Sequence, residues 1–162
     1  MKKDKITIYT DGSSLGNPGP GGWGVLIQLK DKKIIELGGR EEKTTNNRME
    51  LMAVIKAFKY LNDSRLGNNG LKLILDSEYV KKGITEWIYG WVQNNWRTKN
   101  RKPVLNQDLW KELIIIVQEY EKKNKIEWER IDSHTGVAGN ERADQIAVSF
   151  AEDKPTPLKD ER

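Results

Sequence analysis

Leu51, Val54, Ile55 and Phe58 recur at i, i+3, i+4 and i+7, one buried stripe of a helix. This stripe divides the chain. Before it, Lys5 to Thr10 alternates Ile6 and Ile8 with Thr7 and Tyr9, and Asp11-Gly12 reads as the turn that ends the strand. Gly16 to Gly22 is dense in turn residues, and Gly24–Leu29 and Lys33–Gly38 read as a hairpin joined by Lys30-Asp31-Lys32. After it, strand and helix periods take turns. Leu71–Leu75 is a short buried strand running through Asp76-Ser77 into a helix start. Ile84, Trp87, Ile88 and Trp91 keep helical spacing, and Arg97–Lys102 is a basic loop closed by Pro103. Asp108–Tyr120 predicts an apolar helix and Lys125–Ile131 a strand. Asn140–Ala151 predicts a last helix with a stripe of Ala143, Ile146, Ala147 and Phe150. Three leading strands followed by alternation imply an α/β sheet of mixed direction.

The 162 residues suit one domain with a real core, and no repeat or linker divides them. With no Cys, disulfides, thiolate metal sites and thiol nucleophiles are excluded. A single His excludes a multi-histidine site, so any metal must be held mainly by oxygen, which favours Mg²⁺, Mn²⁺ or Ca²⁺. Lys plus Arg exceeds Asp plus Glu by 28 to 24, a net +4 that permits a polyanionic partner without requiring one. The charged start passes straight into Ile6-Thr7-Ile8-Tyr9, unlike a signal peptide, and the longest apolar run, Leu113–Val117, is too short to span a membrane. The expectation is a soluble, cytoplasmic monomer. Residues 152–162, with two prolines and alternating charge, are expected to be a flexible, frayed tail.

Four carboxylates stand at unusual places. Asp11 and Asp76 end two strands, and parallel pairing of those strands would bring both to one sheet edge, where ligands of open α/β sheets bind. Glu50 and Asp144 each sit one residue off a buried helical stripe, at its rim. Each has a plain alternative: a turn for Asp11-Gly12, an N-cap for Asp76-Ser77, a first-turn acid for Glu50, a solvated helix residue for Asp144. Taken together, converging carboxylates repel unless a cation holds them.

The motifs carry a resemblance. Asp11 to Gly19 (Asp-Gly-Ser-Ser-Leu-Gly-Asn-Pro-Gly), Thr44 to Leu51 (Thr-Thr-Asn-Asn-Arg-Met-Glu-Leu), Asp76-Ser77 with Tyr79-Val80, His134-Thr135-Gly136, and Gly139 to Asp144 (Gly-Asn-Glu-Arg-Ala-Asp) occur in that order. The chain resembles bacterial-type ribonuclease HI from about Lys5 to Ala151. The resemblance implies a ribonuclease H-like fold: a five-stranded mixed sheet, its first three strands antiparallel, flanked by helices. It implies one catalytic domain over residues 1–151. The implied activity is an endoribonuclease that hydrolyses the RNA strand of RNA–DNA hybrids, leaving 3′-hydroxyl and 5′-phosphate ends. Asp11, Glu50, Asp76 and Asp144 would hold two Mg²⁺ ions, with Mn²⁺ able to substitute, and Asp11 would bridge them.

His134 would assist proton transfer or product release. The chain departs from the family pattern just before it, where Asp132-Ser133 stands in place of the usual Gly. Ser14, Asn17, Asn46 and Asn47 would contact the RNA strand, whose 2′-hydroxyls need short polar partners. Loop and cap chemistry is the plain alternative for these residues. Lys43, Thr45 and Asn106 would bind a DNA phosphate. Lys81, Lys82, Trp87, Trp91, Arg97, Lys99, Arg101 and Lys102 would form a hybrid-binding groove and basic protrusion, since basic residues interleaved with aromatics suit nucleic acid. Against this, the spacing of Trp87 and Trp91 also suits a core stripe, and the charge run suits a solvated loop. Trp96 is expected to be structural. Three other readings stand beside this one: another nuclease or polynucleotide transferase of the same fold, a hybrid-binding module without chemistry, and a calcium-binding structural domain. The last lacks the spaced acidic loop of an EF-hand.

Overall fold

The computed structural model describes residues 5–64, 66 and 70–162. Its five strands are β1 (Ile6–Ser14), β2 (Gly19–Gln28), β3 (Ile34–Thr44), β4 (Leu71–Leu75) and β5 (Ile126–Arg130). They form one sheet in the order β3-β2-β1-β4-β5. β1, β2 and β3 pair antiparallel, whereas β4 pairs parallel with both β1 and β5. The helices are α1 (Asn46–Asp63), α2 (Glu78–Lys82), α3 (Ile88–Gln93), α4 (Gln107–Glu121) and α5 (Ala138–Ala151), with a π-helical turn at Gly83–Trp87 joining α2 to α3.

α1 and α4 cover one face of the sheet. The α1 stripe is wholly buried at Leu51, Val54, Ile55 and Phe58. The Phe58 ring meets Tyr120 of α4 edge-on at 5.5 Å and Trp128 of β5 at 6.1 Å. α5 covers the opposite face, over β1, β2 and β3. Ala143, Ile146 and Ala147 are fully buried there.

Three expectations need correcting. Asp11-Gly12 does not end β1, which runs on to Ser14 with Asp11 opposite Gly24 of β2. The glycine-rich segment from Gly19 to Gly22 likewise belongs to β2 rather than to a turn. The physical reason is close packing. A Cβ at Gly22 or Gly24 would overlap the backbone of α5 at Ala147 or Ala143, so these glycines let a helix lie directly on a strand.

The third correction concerns residues 152–162, which are not frayed. They run along the edge of β3: Glu36 N–H donates to Lys159 O at 2.8 Å and Glu161 N–H to Ile34 O at 2.9 Å, with Ile35 opposite Asp160. Arg142 of α5 donates to Glu36 through Nε at 2.7 Å and Nη2 at 2.9 Å, and Nη2 also donates to Pro157 O at 2.9 Å. Charged residues and prolines suggested a tail in water, but the charges meet partners and the backbone finds an open sheet edge.

Candidate active site

The parallel register of β1 and β4 ends at Thr10 opposite Leu75. Asp11 and Asp76 follow immediately, side by side where the parallel pairing of the two strands stops; β4 ends there, while β1 runs on against β2. Glu50 arrives from α1. Its approach depends on Gly12, where a Cβ would overlap the backbone of Met49 and Glu50. The Gly12 N–H donates to Asp11 Oδ1 at 2.9 Å and also to Glu50 Oε1, so one backbone donor ties two of the acids together.

Oxygens of Asp11, Glu50 and Asp76 lie within 4.8 Å of one another. Asp11 is 5% exposed and Glu50 9%. Burial pushes the Asp11 carboxyl up to about 7; a hydrogen bond with Glu50 opposes this, while Asp76 and Asp144 reinforce it. Burial also raises Glu50 well above the usual range, and Asp11 and Asp76 add to the rise. Asp76 is raised by burial first and by the Asp144 charge second, while hydrogen bonds and the His134 imidazole act the other way. Asp144 is half-buried on α5 and faces Asp11 and Asp76, but it lies outside the tight group of three. Three of the four expected acids therefore meet closely, and the fourth stands at their side.

His134 is exposed in the loop between β5 and α5, in a left-handed conformation with φ of 57°. The Asp132 carboxylate before it pairs with Arg130 at 3.2 Å, and Thr135 Oγ1 donates to Asp132 O at 2.8 Å. Ser77 is the N-cap of α2, its hydroxyl accepting from Val80 N–H at 3.1 Å. The N-cap read at Asp76-Ser77 is thus present, supplied by Ser77, which leaves the Asp76 carboxylate free of that role.

Five of the seven residues expected at the two strands of a hybrid share one hollow. Asn17, Asn46 and Asn47 line a cavity of about 310 Å³ together with Thr45 and Asn106. Ser14 N–H donates to Asn46 Oδ1 at 2.7 Å, which fastens the end of β1 to the start of α1. Thr45 is the N-cap of α1. Lys43 is exposed near the end of β3 and is not part of the cavity wall.

A second cavity of about 500 Å³ is walled by Trp87, Trp91, Arg97 and Lys99, with Asn94 and Asn100. Trp87 is 40% exposed while Ile84 and Ile88 beside it are buried, so the helical stripe is core at its isoleucines and surface at Trp87. Trp91 packs edge-on against Trp110 at 5.3 Å, and the Trp96 ring lies under Lys111 at 5.5 Å. Lys81, Lys82, Arg101 and Lys102 are not in this wall. Lys82 is paired with Glu78 at 2.7 Å, which offsets part of the basic field.

Sequence reasoning gave no role to Arg48, Asp108 or Tyr79. Arg48 forms a two-pronged pair with Asp108 at 2.9 and 2.8 Å, across 60 residues of chain, and nothing in local spacing signals such a contact. Asn140, buried on α5 four residues before Asp144, has no partner for its Oδ1 among the described residues.

Comparisons with known proteins agree with this geometry. The RNase H family model matches residues 3–152. A ribonuclease H of Cyanothece sp. is 46% identical over 162 residues, covering 100% of this chain and 99% of the relative. A ribonuclease HI of Pseudomonas aeruginosa is 48% identical over 145 residues, covering 90% and 92%. Among solved structures, LC9-RNase H1, a type 1 RNase H with the type 2 active-site motif, superposes with a TM-score of 0.81 at 31% identity over 99% of this chain and 79% of that one. LC11-RNase H1, solved in complex with an RNA/DNA hybrid, gives 0.68 at 26% identity over 92% and 98%.

Proposed function

Because the chain belongs to the ribonuclease H family, we propose that it is an endonuclease that hydrolyses the RNA strand of RNA–DNA hybrids, leaving 3′-hydroxyl and 5′-phosphate ends. The observation that carries this reading is the meeting of Asp11, Glu50 and Asp76 within 4.8 Å where the parallel pairing of β1 and β4 stops, with Asp144 facing them. The hybrid bound by LC11-RNase H1 supports the choice of substrate.

The acids fit a divalent cation held by oxygens. Three carboxylates this close, two of them almost out of water, resist carrying full charge, as the raised Asp11 and Glu50 show. Asp11, Glu50, Asp76 and Asp144 would hold two Mg²⁺ ions, for which Mn²⁺ can substitute. When bound, such ions supply an acidified water as nucleophile and positive charge at the leaving 3′-oxygen.

The chain's own residues do the rest. Gly12 N–H orients Asp11 and Glu50. His134, on an exposed loop within the field of Asp76, can give or take a proton at an imidazole nitrogen or help product leave. Ser14, Asn17, Asn46 and Asn47 read the RNA strand through short donors and acceptors. Lys43, Thr45 and Asn106 hold a phosphate of the DNA strand; Lys43 does so as a point charge rather than a planar fork. Trp87 and Trp91, with Lys81, Lys82, Arg97, Lys99, Arg101 and Lys102 around them, receive the DNA strand further along. This grip should loosen as salt rises, because bound phosphates release counterions.

A gel assay tests the reading. One end-labelled hybrid is incubated with Mg²⁺, Mn²⁺ or EDTA, beside single-stranded RNA and duplex DNA. Cleavage of the hybrid's RNA strand alone, lost in EDTA, is the expected result. Cleavage of single-stranded DNA with the hybrid left intact would sink the proposal.

A further inference from the structure

An asparagine that grips a phosphate must present an N–H, and the surroundings of Asn106 select that orientation. Asn106 stands at the N-cap of α4 with φ of 59°, yet its side chain makes no capping bond. An N-cap asparagine usually accepts from its own helix. Here Oδ1 accepts instead from Arg48 Nη1 at 3.4 Å, and Nδ2 donates to the Tyr79 hydroxyl at 3.1 Å. A guanidinium has donors only, so the amide oxygen must face Arg48 and the amide nitrogen must face Tyr79.

Both holders are themselves fixed. Arg48 is forked onto Asp108 at 2.9 and 2.8 Å. The Tyr79 hydroxyl accepts a second hydrogen bond from Trp110 Nε1 at 3.0 Å, and its ring packs against Trp110 at 5.3 Å and Trp87 at 6.2 Å. Trp110 is fully buried. With one amide hydrogen committed to Tyr79, the second is left for the cavity that Asn106 shares with Thr45. Thr45 Oγ1 accepts from Arg48 N–H at 3.3 Å and so keeps its own hydrogen to donate.

We propose that Tyr79 and Arg48 are positioning residues for hybrid binding: they clamp the Asn106 amide so that its free N–H meets a phosphate of the DNA strand. The proposal deepens the reading given under Proposed function and rests on it. Neither residue touches the substrate. Tyr79 lies on α2, which begins two residues after Asp76, so the phosphate grip starts next to the acidic site in the chain.

The test is a scan of hybrids whose DNA strand carries one neutral methylphosphonate at successive positions. Affinity is measured in EDTA, and cleavage of the unmodified hybrid in Mg²⁺. Wild type is expected to lose about tenfold in affinity at one position, the scale of a charge-assisted hydrogen bond. Tyr79→Phe should bind unmodified hybrid about three- to tenfold more weakly and lose the penalty at that position, with kcat within about twofold of wild type. Asn106→Ala should likewise bind hybrid more weakly and lose the penalty at that position, and the double variant should be no weaker than Asn106→Ala alone, because the two act through one contact. Should Tyr79→Phe fail to fold, as judged by circular dichroism, Arg48→Lys carries the same expectation, since lysine keeps the charge but loses the fork.

Tyr79→Phe or Arg48→Lys retaining the full wild-type penalty overturns the proposal. So does a wild type that binds and cuts hybrid with no penalty at any DNA position. A protein that neither binds nor cuts hybrid instead strikes the functional reading beneath it, and the gel assay shows which has failed.

Discussion

Glu36 and Asp11 are almost equally hidden, 4% and 5% exposed, yet their chemistry runs in opposite directions. Burial raises Glu36 too, but the Arg142 guanidinium and the Lys159 N–H outweigh it and hold the carboxyl below its usual range. Asp11 has other acids as neighbours, and burial pushes it up to about 7. Glu36 is therefore satisfied by the protein alone. Its ion pair fastens β3, α5 and the C-terminal segment together. The acids around Asp11 are left short of positive charge, and the fold carries that strain where a cation can relieve it. Burial by itself does not tell a structural acid from a functional one; the sign of the charge beside it does.

The contrast can be broken most severely at Asp11. Asp11→Asn should lower hybrid cleavage by about a thousandfold or more, equivalent to about 4 kcal/mol of barrier, while hybrid affinity in EDTA stays close to wild type. Gel cleavage and a binding titration check this, and near-normal turnover would remove Asp11 from the chemistry. Glu36→Ala should leave the chemistry in place but destabilise the fold by about 3 kcal/mol, since it strands the mostly buried Arg142. Urea denaturation measures that loss; an unchanged midpoint would show that the pair holds nothing.

The pH dependence sharpens the comparison. A carboxyl raised in the folded state binds its proton more tightly there, so it favours folding at low pH and that contribution is lost as pH rises. For Asp11 the window runs from 3.8 to about 7. Glu36 is lowered, so its contribution is present above 4.5 and is lost as pH falls through the folded value. Melting curves in EDTA should accordingly show a fall in melting temperature between about pH 4 and pH 7 that shrinks in Asp11→Asn. At pH 8 the same variant should melt above wild type in EDTA, whereas Mg²⁺ should raise wild type more than the variant. Equal pH slopes in the two proteins would contradict a crowded acidic cluster. The smallest effect lies at the start of the tail. Ser149 Oγ accepts from Thr156 N–H at 3.1 Å and donates to Ile146 O at 2.7 Å, so Ser149→Ala should cost about 1 kcal/mol, read from the same denaturation curves.

Much of this molecule was legible in the chain. The helical stripe from Leu51 to Phe58, the strand Leu71–Leu75 and the stripe on α5 follow from hydrophobic period, because period reports which side of an element meets the core. Glu50 and Asp144 were legible because each sits at the rim of a buried helical stripe, and Asp76 because it follows a short buried strand. The extension of β1 through Asp11 was not, because a glycine needed for close packing has the same letter as a glycine needed for a turn. The C-terminal segment was misread for a related reason: its charges and prolines describe a surface, and an occupied sheet edge is also a surface.

The sequence alone determined the order of elements, the exclusion of thiol chemistry and the set of acids available to a metal. Those properties are local or compositional, and each can be read within one helix turn, one strand or one count. Tertiary structure decided which acids draw within 4.8 Å, that Asp144 stands beside rather than inside that group, and that Arg48 reaches Asp108 and Asn106. Such contacts join residues dozens of positions apart, and only the packing of α1, α4 and α5 on the sheet sets those distances.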